Sequence, residues 1–471
     1  MVKFEDVDFE FQTDVVVVGA GACGLTAALA ARDAGAEVFV LERDATPAGS
    51  TAMSQGLICA AGTKLQADAG IEDNADLFFD DIMARTRGTA DPLVARVVAN
   101  EAGPTIDWMI AAHGIPFELR ASWSGFFGHS ASRMHGTPSK TGTELVGALV
   151  RATENAGANI VCDALVDEIY ARPDGTIRGV SFLRPDGGRE FVGCRALVAA
   201  TCGFGANTEM VRKYIPDFSA IAHYRYFGHE GNDGSGIRWG LELGAGTGSM
   251  NAFQGYGSLA MPQSIVVNYD MVMNGGFVVN LDGERFSDEL ADISGQAINV
   301  LSQRDGVGWM IFDERRHEQA KHLPEYRELD AIGAFKYADD LDCLASVTGL
   351  PADRLKQTVA SVENAIATGQ KCPFGRDFAG VTPLRPPYRA VRVTGALFHT
   401  QGGLLVDESA RVLRPDGTPL PNFFAGGGAA RGISGDGPSG YLPAAGLCTA
   451  VTLGRLAGRN AAVTGGSTDT R

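Results

Sequence analysis

TDVVVVGAGACGLTAALAARDAGAEVFVLER, residues 13–43, reads as strand, tight turn, helix and second strand. The four valines Val15 to Val18 form the continuous β-branched run of a strand buried on both faces. Gly19, Gly21 and Gly24 follow in the G-x-G-x-x-G pattern. The first glycine permits the turn, the second lets a pyrophosphate approach the backbone, and the third lets the helix pack on the strand. Helix 25–34 is expected to stop at Gly35, and a second strand, 37–41, ends at Glu42, a carboxylate placed for the hydroxyls of an adenosine ribose. The candidate contacts of a bound dinucleotide here are Gly19, Gly21, Ala22, Cys23, Gly24, Glu42 and Arg43. A βαβ unit without a ligand is the plainer alternative.

The rest of the chain sets bounds on what surrounds this unit. With 471 residues, 45% of them apolar and 20% charged, it can bury two or three sizeable cores. The formal net charge of −16 and the lack of a Lys/Arg block argue against nucleic acid or an anionic membrane as partner and favour a small-molecule substrate. No apolar run reaches membrane-spanning length. The acidic start, MVKFEDVDFEFQTD, lacks the basic-then-apolar order of a signal peptide, so a cytoplasmic protein is expected. Eight scattered cysteines, without a CxxC or a Cys/His cluster, read as reduced thiols and give no metal site.

Distant stretches extend the same domain. GALVRATENAGANIVCDALVDEIY (147–170) reads as a helix feeding a strand, followed by a hairpin turning at Asp174-Gly175. CRALVAATCGFGAN (194–207) is an apolar strand opening into a glycine-containing turn. Residues 402–432 repeat the hairpin-then-strand order and reach three consecutive glycines, Gly426 to Gly428. A discontinuous domain with an insertion follows.

Together these pieces resemble the flavoprotein superfamily of fumarate reductase and succinate dehydrogenase, which includes 3-ketosteroid dehydrogenases and tricarballylate dehydrogenase-like enzymes. GSTAMSQGLICAAGT (49–63) is similar to the family's flavin loop, ATCGFGAN (200–207) to its ATGGFGAN turn with Cys202 in place of a glycine, and VVNLDGERFSDE (278–289) to its G-x-R-F stretch. HTQGGLLVD (399–407) resembles the H-T-x-G-G strand and PNFFAGG (421–427) the final flavin strand. The resemblance implies an α/β, Rossmann-like FAD-binding domain in two segments, 1–255 and 399–471, with an inserted α+β cap at 256–398. It also implies cofactor contacts at Ser50, Thr51, Ser54, Gly56, Val166, Thr201, Gly203, Gly427, Gly446 and Leu447. Ser50 stands where succinate dehydrogenases attach the flavin to a histidine, so FAD is expected to be non-covalent. The helix after the last flavin strand, 445–455, is expected to aim its positive end at the flavin ring.

The departures from the family bear on chemistry. Fumarate reductases carry a carboxylate-clamping arginine where Tyr441 stands and a catalytic arginine where Ile293 stands; neither guanidinium is supplied here. Ketosteroid dehydrogenases place a tyrosine before the flavin-facing helix, where it grips a ketone oxygen. By that resemblance Tyr441 is the candidate donor to a carbonyl during α,β-dehydrogenation, with hydride leaving to flavin N5; a tyrosine packed over the flavin is the alternative. Asp292, in a stretch resembling tricarballylate dehydrogenase-like enzymes, is a candidate base or a helix cap. His399 matches the substrate-contacting family histidine, and Tyr256 lies near where fumarate reductases place another. Trp123, Phe126 and Phe127 suit an apolar wall for a ring substrate or a packed loop, and Arg133 with His135 resembles a structural R-x-H pair. Two readings compete: an apolar cyclic or steroid-like ketone, and an organic acid as in fumarate reductase-like or tricarballylate dehydrogenase-like enzymes. A polyacid needs converging guanidinium groups, and Arg431 is the candidate near Tyr441. A flavoprotein without turnover is the third reading. Disulfide reductase chemistry is not expected, since no cysteine pair stands beside the flavin glycines in sequence. The electron acceptor and the direction of reaction are not encoded in these patterns.

Overall fold

A computed structural model describes residues 1–120, 127–221 and 225–464. The chain divides into two compact units: Met1–Ile215 with Gly228–Phe253 and His399–Arg471, and Pro216–Phe227 with Gln254–Phe398. The second unit thus takes a segment that the sequence boundaries assigned to the first. The reason is hydrogen bonding: Leu397 N donates to Arg225 O at 2.8 Å and Phe227 N to Leu397 O at 2.7 Å, which zips this segment onto strand Tyr388–Thr400.

The first unit is built on a nine-stranded sheet. Its centre is strand Arg189–Ala199, parallel along one edge to Phe11–Val18. Its other edge is shared, antiparallel to Ile177–Leu183 in its first half and parallel to Pro419–Ala425 in its second. Val38–Leu41 and Asn159–Val161 continue the parallel side. The ends of Phe11–Val18, Arg189–Ala199 and Pro419–Ala425 therefore lie side by side, which gathers three glycine-bearing turns far apart in sequence at one edge, where α/β sheets bind ligands.

Two helices lie against these strands. The first, Ala22–Asp33, begins three residues earlier than the apolar pattern suggested, because the glycine turn itself supplies the first turn, with Gly21 as N-cap. The second, Ala445–Val463, runs beyond the expected end at Arg455. Both are nearly buried on every side and meet through small residues. A Cβ on Gly454 would sit 2.4 Å from Cys23 O, and one on Gly458 1.9 Å from Ala27 O, so the axes can approach this closely only with glycine at both positions.

The second unit has a six-stranded sheet in which Tyr388–Thr400 pairs antiparallel with Val307–Asp313, itself paired with Phe277–Val279. Helices Leu341–Thr348 and Ala352–Thr368 cover one face around Phe277, Trp309, Leu344, Leu355 and Val359. The G-x-R-F stretch has a structural explanation here. Arg285 Nε and Nη2 donate to the buried Glu289 carboxylate at 3.0 and 2.6 Å, and Arg376 Nη1 donates to it at 2.9 Å. Glu289 also accepts from Val278 N, tying the loop to the sheet. Glu289→Ala would strand two buried guanidiniums, so a loss of about 3–5 kcal/mol is expected, read as a lower urea midpoint on chemical unfolding.

Candidate active site

The dinucleotide turn is shaped by contacts that exclude side chains. Gly19 has φ +104°, and a Cβ there would lie 2.5 Å from Ala200 O of the neighbouring strand end. A Cβ on Gly24 would lie 1.8 Å from Gly19 O, so the helix cannot close on the turn with any other residue. Thr51 Oγ1 accepts from Ala22 N at 3.0 Å beside Gly21. Glu42 is buried at the end of its strand. Its Oε2 accepts from Ala20 N at 2.7 Å, its Oε1 from Asp44 N at 3.0 Å, and its backbone carbonyl from Ala164 N, which brings the start of the Val166 strand to the same edge. Arg43 pairs with Asp44 at 3.6 Å. The Cys23 side chain packs against Gly426 and Gly427.

The second loop is held around Ser54, which donates to Thr51 O at 2.7 Å, accepts from Gly56 N at 3.0 Å and accepts through its carbonyl from Gly142 N at 2.8 Å. Ser50 Oγ accepts from Asn232 Nδ2 at 2.8 Å and lies 3.8 Å from Cys202 Sγ. Cys202 adopts φ +60°, the left-handed conformation that the family's glycine takes without strain. Next to it, Thr201 Oγ1 is buried without a hydrogen-bond partner among the described residues, and Gly203 is pressed against Thr400 Oγ1. Gly427 follows the final strand with φ +57°. An orphaned buried hydroxyl beside glycine turns that a Cβ would fill is the arrangement that a dinucleotide completes, and these residues fit FAD.

On the far side of these turns stands the segment that carries Tyr441. The helix Ala445–Val463 has no side-chain cap, and its N-cap, Ala444, sits at φ 67°, strained for a residue with a Cβ. Its first amides and the half-buried Gly446 and Leu447 are therefore free of a capping side chain, as a flavin-facing helix end requires. Tyr441 is buried, and its ring lies edge-on to His399 at 5.8 Å between centroids and 74° between planes. Burial pushes the phenol well above its ordinary value, partly offset by the Ala444 amide, so it is a protonated donor at neutral pH. Burial lowers His399 to about 4, with the Thr400 backbone opposing, so its imidazole is neutral.

Two residues not singled out from sequence brace this turn. Arg85 Nε donates to Tyr441 O at 3.1 Å, and His129 Nε2 donates to Pro443 O at 3.0 Å. His129, lowered to about 4 by burial, is neutral, and its buried Nδ1 has no partner among the described residues. Arg133 and His135 are structural: Arg133 is fully buried between Asp73 and Asp81, and His135 bonds Arg133 O at 2.8 Å and Thr63 Oγ1 at 2.9 Å. The R-x-H spacing was the visible signal for that pair; Arg85 and His129 gave none, since their partners are backbone carbonyls more than three hundred residues away. Trp123 and Phe126 lie outside the described residues.

Arg431, the guanidinium candidate for a polyacid, is engaged elsewhere. Its Nη1 donates to Asp91 Oδ2 at 2.7 Å and its Nε to Ser249 Oγ at 3.3 Å, while Asp91 also caps helix Pro92–His113. The cysteines also differ from the linear reading. Cys448, in the first turn of helix Ala445–Val463, contacts Cys59, and Cys23 lies near Cys202. Contact with Cys59 and burial hold the Cys448 thiol well above its ordinary value, and burial pushes Cys23 up to about 12. These are protonated thiols, poor nucleophiles despite their pairing.

Tyr256 and Asp292 belong to the second unit, where Tyr256 stacks on Phe398 at 5.2 Å and meets Tyr269 edge-on at 4.9 Å. Phe227 packs on Phe398 at 5.2 Å, which makes a panel of half-buried aromatic rings with Tyr256 Oη donating to Val267 O at 3.3 Å. Asp292 caps helix Ile293–Leu301: Oδ1 accepts from Ser294 N at 3.0 Å, and Oδ2 lies over Gly295, 2.5 Å from where its Cβ would be. Ile293 is the first residue of that helix and is buried.

The fold and the fitted dinucleotide site define a class of FAD-dependent oxidoreductase. The chain belongs to the FAD binding domain family, whose model matches residues 14–440. Among curated relatives it is 28% identical over 450 residues to a probable fumarate reductase of Shewanella frigidimarina, covering 96% of this chain and 75% of that protein. Among solved structures it is similar to the open conformation of a flavocytochrome c3 fumarate reductase, with a TM-score of 0.80, 27% identity and coverage of 96% and 78% of the two chains. It is also similar to the 3-ketosteroid Δ4-(5α)-dehydrogenase of Rhodococcus jostii, with a TM-score of 0.77, 25% identity and coverage of 97% and 98%. The protein binds FAD and acts on CH–CH bonds in the manner of the fumarate reductase and ketosteroid dehydrogenase group. Among the described residues no helix is long and apolar enough to cross a membrane.

Two outcomes follow. With serine rather than histidine at position 50, acid or heat denaturation is expected to release all the yellow colour into the supernatant, measured by absorbance after precipitation. Burial holds His129, His135 and His399 at about 4, so the unfolded chain takes up protons near 6.5 that the folded chain refuses until about 4. Their contribution to stability is complete above 6.5 and is lost as the pH falls through that window; thermal melts between pH 7.5 and 4 should show it as a progressive drop in Tm.

Proposed function

We propose that the protein introduces, or in reverse reduces, a carbon–carbon double bond beside a carbonyl in a ketosteroid-like or other cyclic ketone. The observation that carries this reading is the pair of neutral donors at the flavin-side helix start, Tyr441 and His399, held edge-on at 5.8 Å. Removal of a proton beside a ketone throws negative charge onto the carbonyl oxygen. A protonated phenol aimed at that oxygen stabilises the enolate-like transition state, and it keeps its proton because burial raises its pKa. FAD bound by the first unit supplies the acceptor, or donor, for the hydride at the neighbouring carbon. Tyr441 is braced for this through Arg85 at its own carbonyl and His129 two residues on.

Charge supports the same choice. A dicarboxylate needs converging guanidiniums, and Arg431 spends its charge on Asp91. Asp292 we assign to capping rather than proton abstraction, since both of its oxygens lie at the helix end. FAD binds non-covalently in this reading, with Ser50 as a hydrogen-bonding residue. The organic-acid reading draws support from the curated relative's name and from the guanidinium of Arg85 at the Tyr441 backbone. It is the other arm of the test.

Anaerobic mixing with saturated 3-ketosteroids, small cyclic ketones, succinate and tricarballylate, followed by absorbance in the flavin band, separates the two. Bleaching by ketones is expected, and bleaching by the acids alone overturns the proposal. Tyr441→Phe, which keeps the ring, should slow ketone-dependent bleaching by about 10²–10³-fold, the cost of one oxyanion donor. Asp292→Asn should retain the rate to within a few-fold because asparagine caps as well as aspartate, whereas a lost base would abolish it.

A further inference from the structure

His399 does not stand alone against Tyr441. Gln401, two residues further along the same strand end, reaches back so that its Nε2 lies 2.6 Å from His399 Nδ1. The other end of that amide, Oε1, accepts from Ser434 Oγ at 3.1 Å. Both supporting residues are buried, and the backbone of Gln401 is pinned by donating to Ala252 O at 2.8 Å and accepting from Gly432 N at 2.9 Å. With the amide oriented so that Oε1 accepts from Ser434, its NH₂ faces the imidazole and donates, and the ring nitrogen facing it is the one without a proton. In a neutral ring the proton is then on Nε2. That nitrogen lies over the first turn of the flavin-side helix, 3.1 Å from where a Cβ on Gly446 would stand, and glycine there leaves its edge uncovered by a side chain.

We propose that Gln401 and Ser434 are positioning residues that lock His399 as the neutral Nε2–H tautomer, making it a second hydrogen-bond donor to the substrate oxygen rather than a base or a cation. This rests on the carbonyl reading above for its use, while the tautomer itself is a property of the chain alone. The physical gain is preorganisation. A free imidazole divides its proton between two nitrogens and turns about its side-chain bonds, whereas here both freedoms are removed before substrate arrives. The lock also sets specificity by charge. A neutral donor pairs with a carbonyl oxygen that becomes negative only in the transition state, but it gives a fully ionised carboxylate no counter-charge. Among the described residues the titratable group facing the ring is the Tyr441 phenol, which burial keeps protonated, and none of them gives the ring a carboxylate that would draw a second proton onto it.

The test reads the tautomer directly. In protein labelled with ¹⁵N-histidine and assigned by comparison with His399→Asn, wild-type His399 should show a protonated Nε2 and an unprotonated Nδ1 at pH 7. A protonated Nδ1, or an imidazolium, overturns the proposal, since it would mean that the Gln401 amide is turned the other way. Gln401→Glu replaces the donor by a carboxylate acceptor, so the proton should move to Nδ1 and the ring should titrate at higher pH than in the wild type. Gln401→Leu keeps bulk without a polar group, and its ring should show a mixture of tautomers. Unchanged spectra in both variants would likewise sink the idea. Kinetically, Gln401→Glu should lower the rate of ketone-dependent bleaching by about 10²-fold with little change in KM, as for removal of a transition-state donor. A wild-type Nε2–H tautomer together with no ketone-dependent bleaching would leave the lock standing and remove the carbonyl reading.

Discussion

The contact between helix Ala22–Asp33 and helix Ala445–Val463 is the constraint from which the first unit is built. The first helix begins directly after strand Phe11–Val18, and the second packs along it against the same sheet. If the helices were separated by ordinary side chains, the two starts would move apart by the width of a side chain. Gly454 and Gly458 against the carbonyls of Cys23 and Ala27 prevent that. The alanines of both helices extend the close approach along their length. The same tightness accounts for Cys23, a small apolar side chain that fills the space under Gly426 rather than a reactive thiol.

Around this rigid base the polar groups are arranged so that charge is cancelled and neutral donors remain. Arg133 is matched by Asp73 and Asp81, and Arg431 by Asp91, so neither leaves an uncompensated positive field. The histidines at 129, 135 and 399 stay neutral, each hydrogen-bonded through at least one ring nitrogen. Desolvation is the common cause, and it acts in the same direction on the phenol of Tyr441, keeping it protonated. A low-dielectric setting of this kind strengthens a hydrogen bond to a charge that develops during reaction.

The dinucleotide half was legible because its physics is local. A turn that needs glycine, a buried strand that needs β-branched residues and a carboxylate at the next strand end all fall within thirty residues, and the helix start moved by three residues without disturbing them. The FAD assignment was legible through the order of short motifs, each fixed by close backbone approach. What escaped were contacts made by folding. Arg85 and His129 act on backbone carbonyls of the distant turn, and no residue pattern announces an acceptor that every residue carries. Cys59 and Cys448 meet only because a short strand packs on the last helix. Gln401 was inside the recognised H-T-x-G-G motif, yet it occupied the variable position and so carried no expectation. Asp292 shows the opposite difficulty: its sequence context fits both a base and a cap, and only the fold shows that its Oδ1 caps helix Ile293–Leu301.

The similarity to both fumarate reductases and ketosteroid dehydrogenases shows that this fold does not by itself choose between an acid and a ketone. Both chemistries need the same bound FAD and the same access to two adjacent carbons. They differ in when negative charge is present on the substrate: throughout for a carboxylate, and only in the transition state for a ketone. A site for the first must hold positive charge against the cost of burial, and it does so with guanidiniums that remain available to the ligand. A site for the second gains more from donors that are neutral and oriented, since a permanent cation would also hold competing anions in the ground state. In the carbonyl reading proposed above, Tyr441, Ile293 and the pairing of Arg431 with Asp91 place this chain toward the second kind of site.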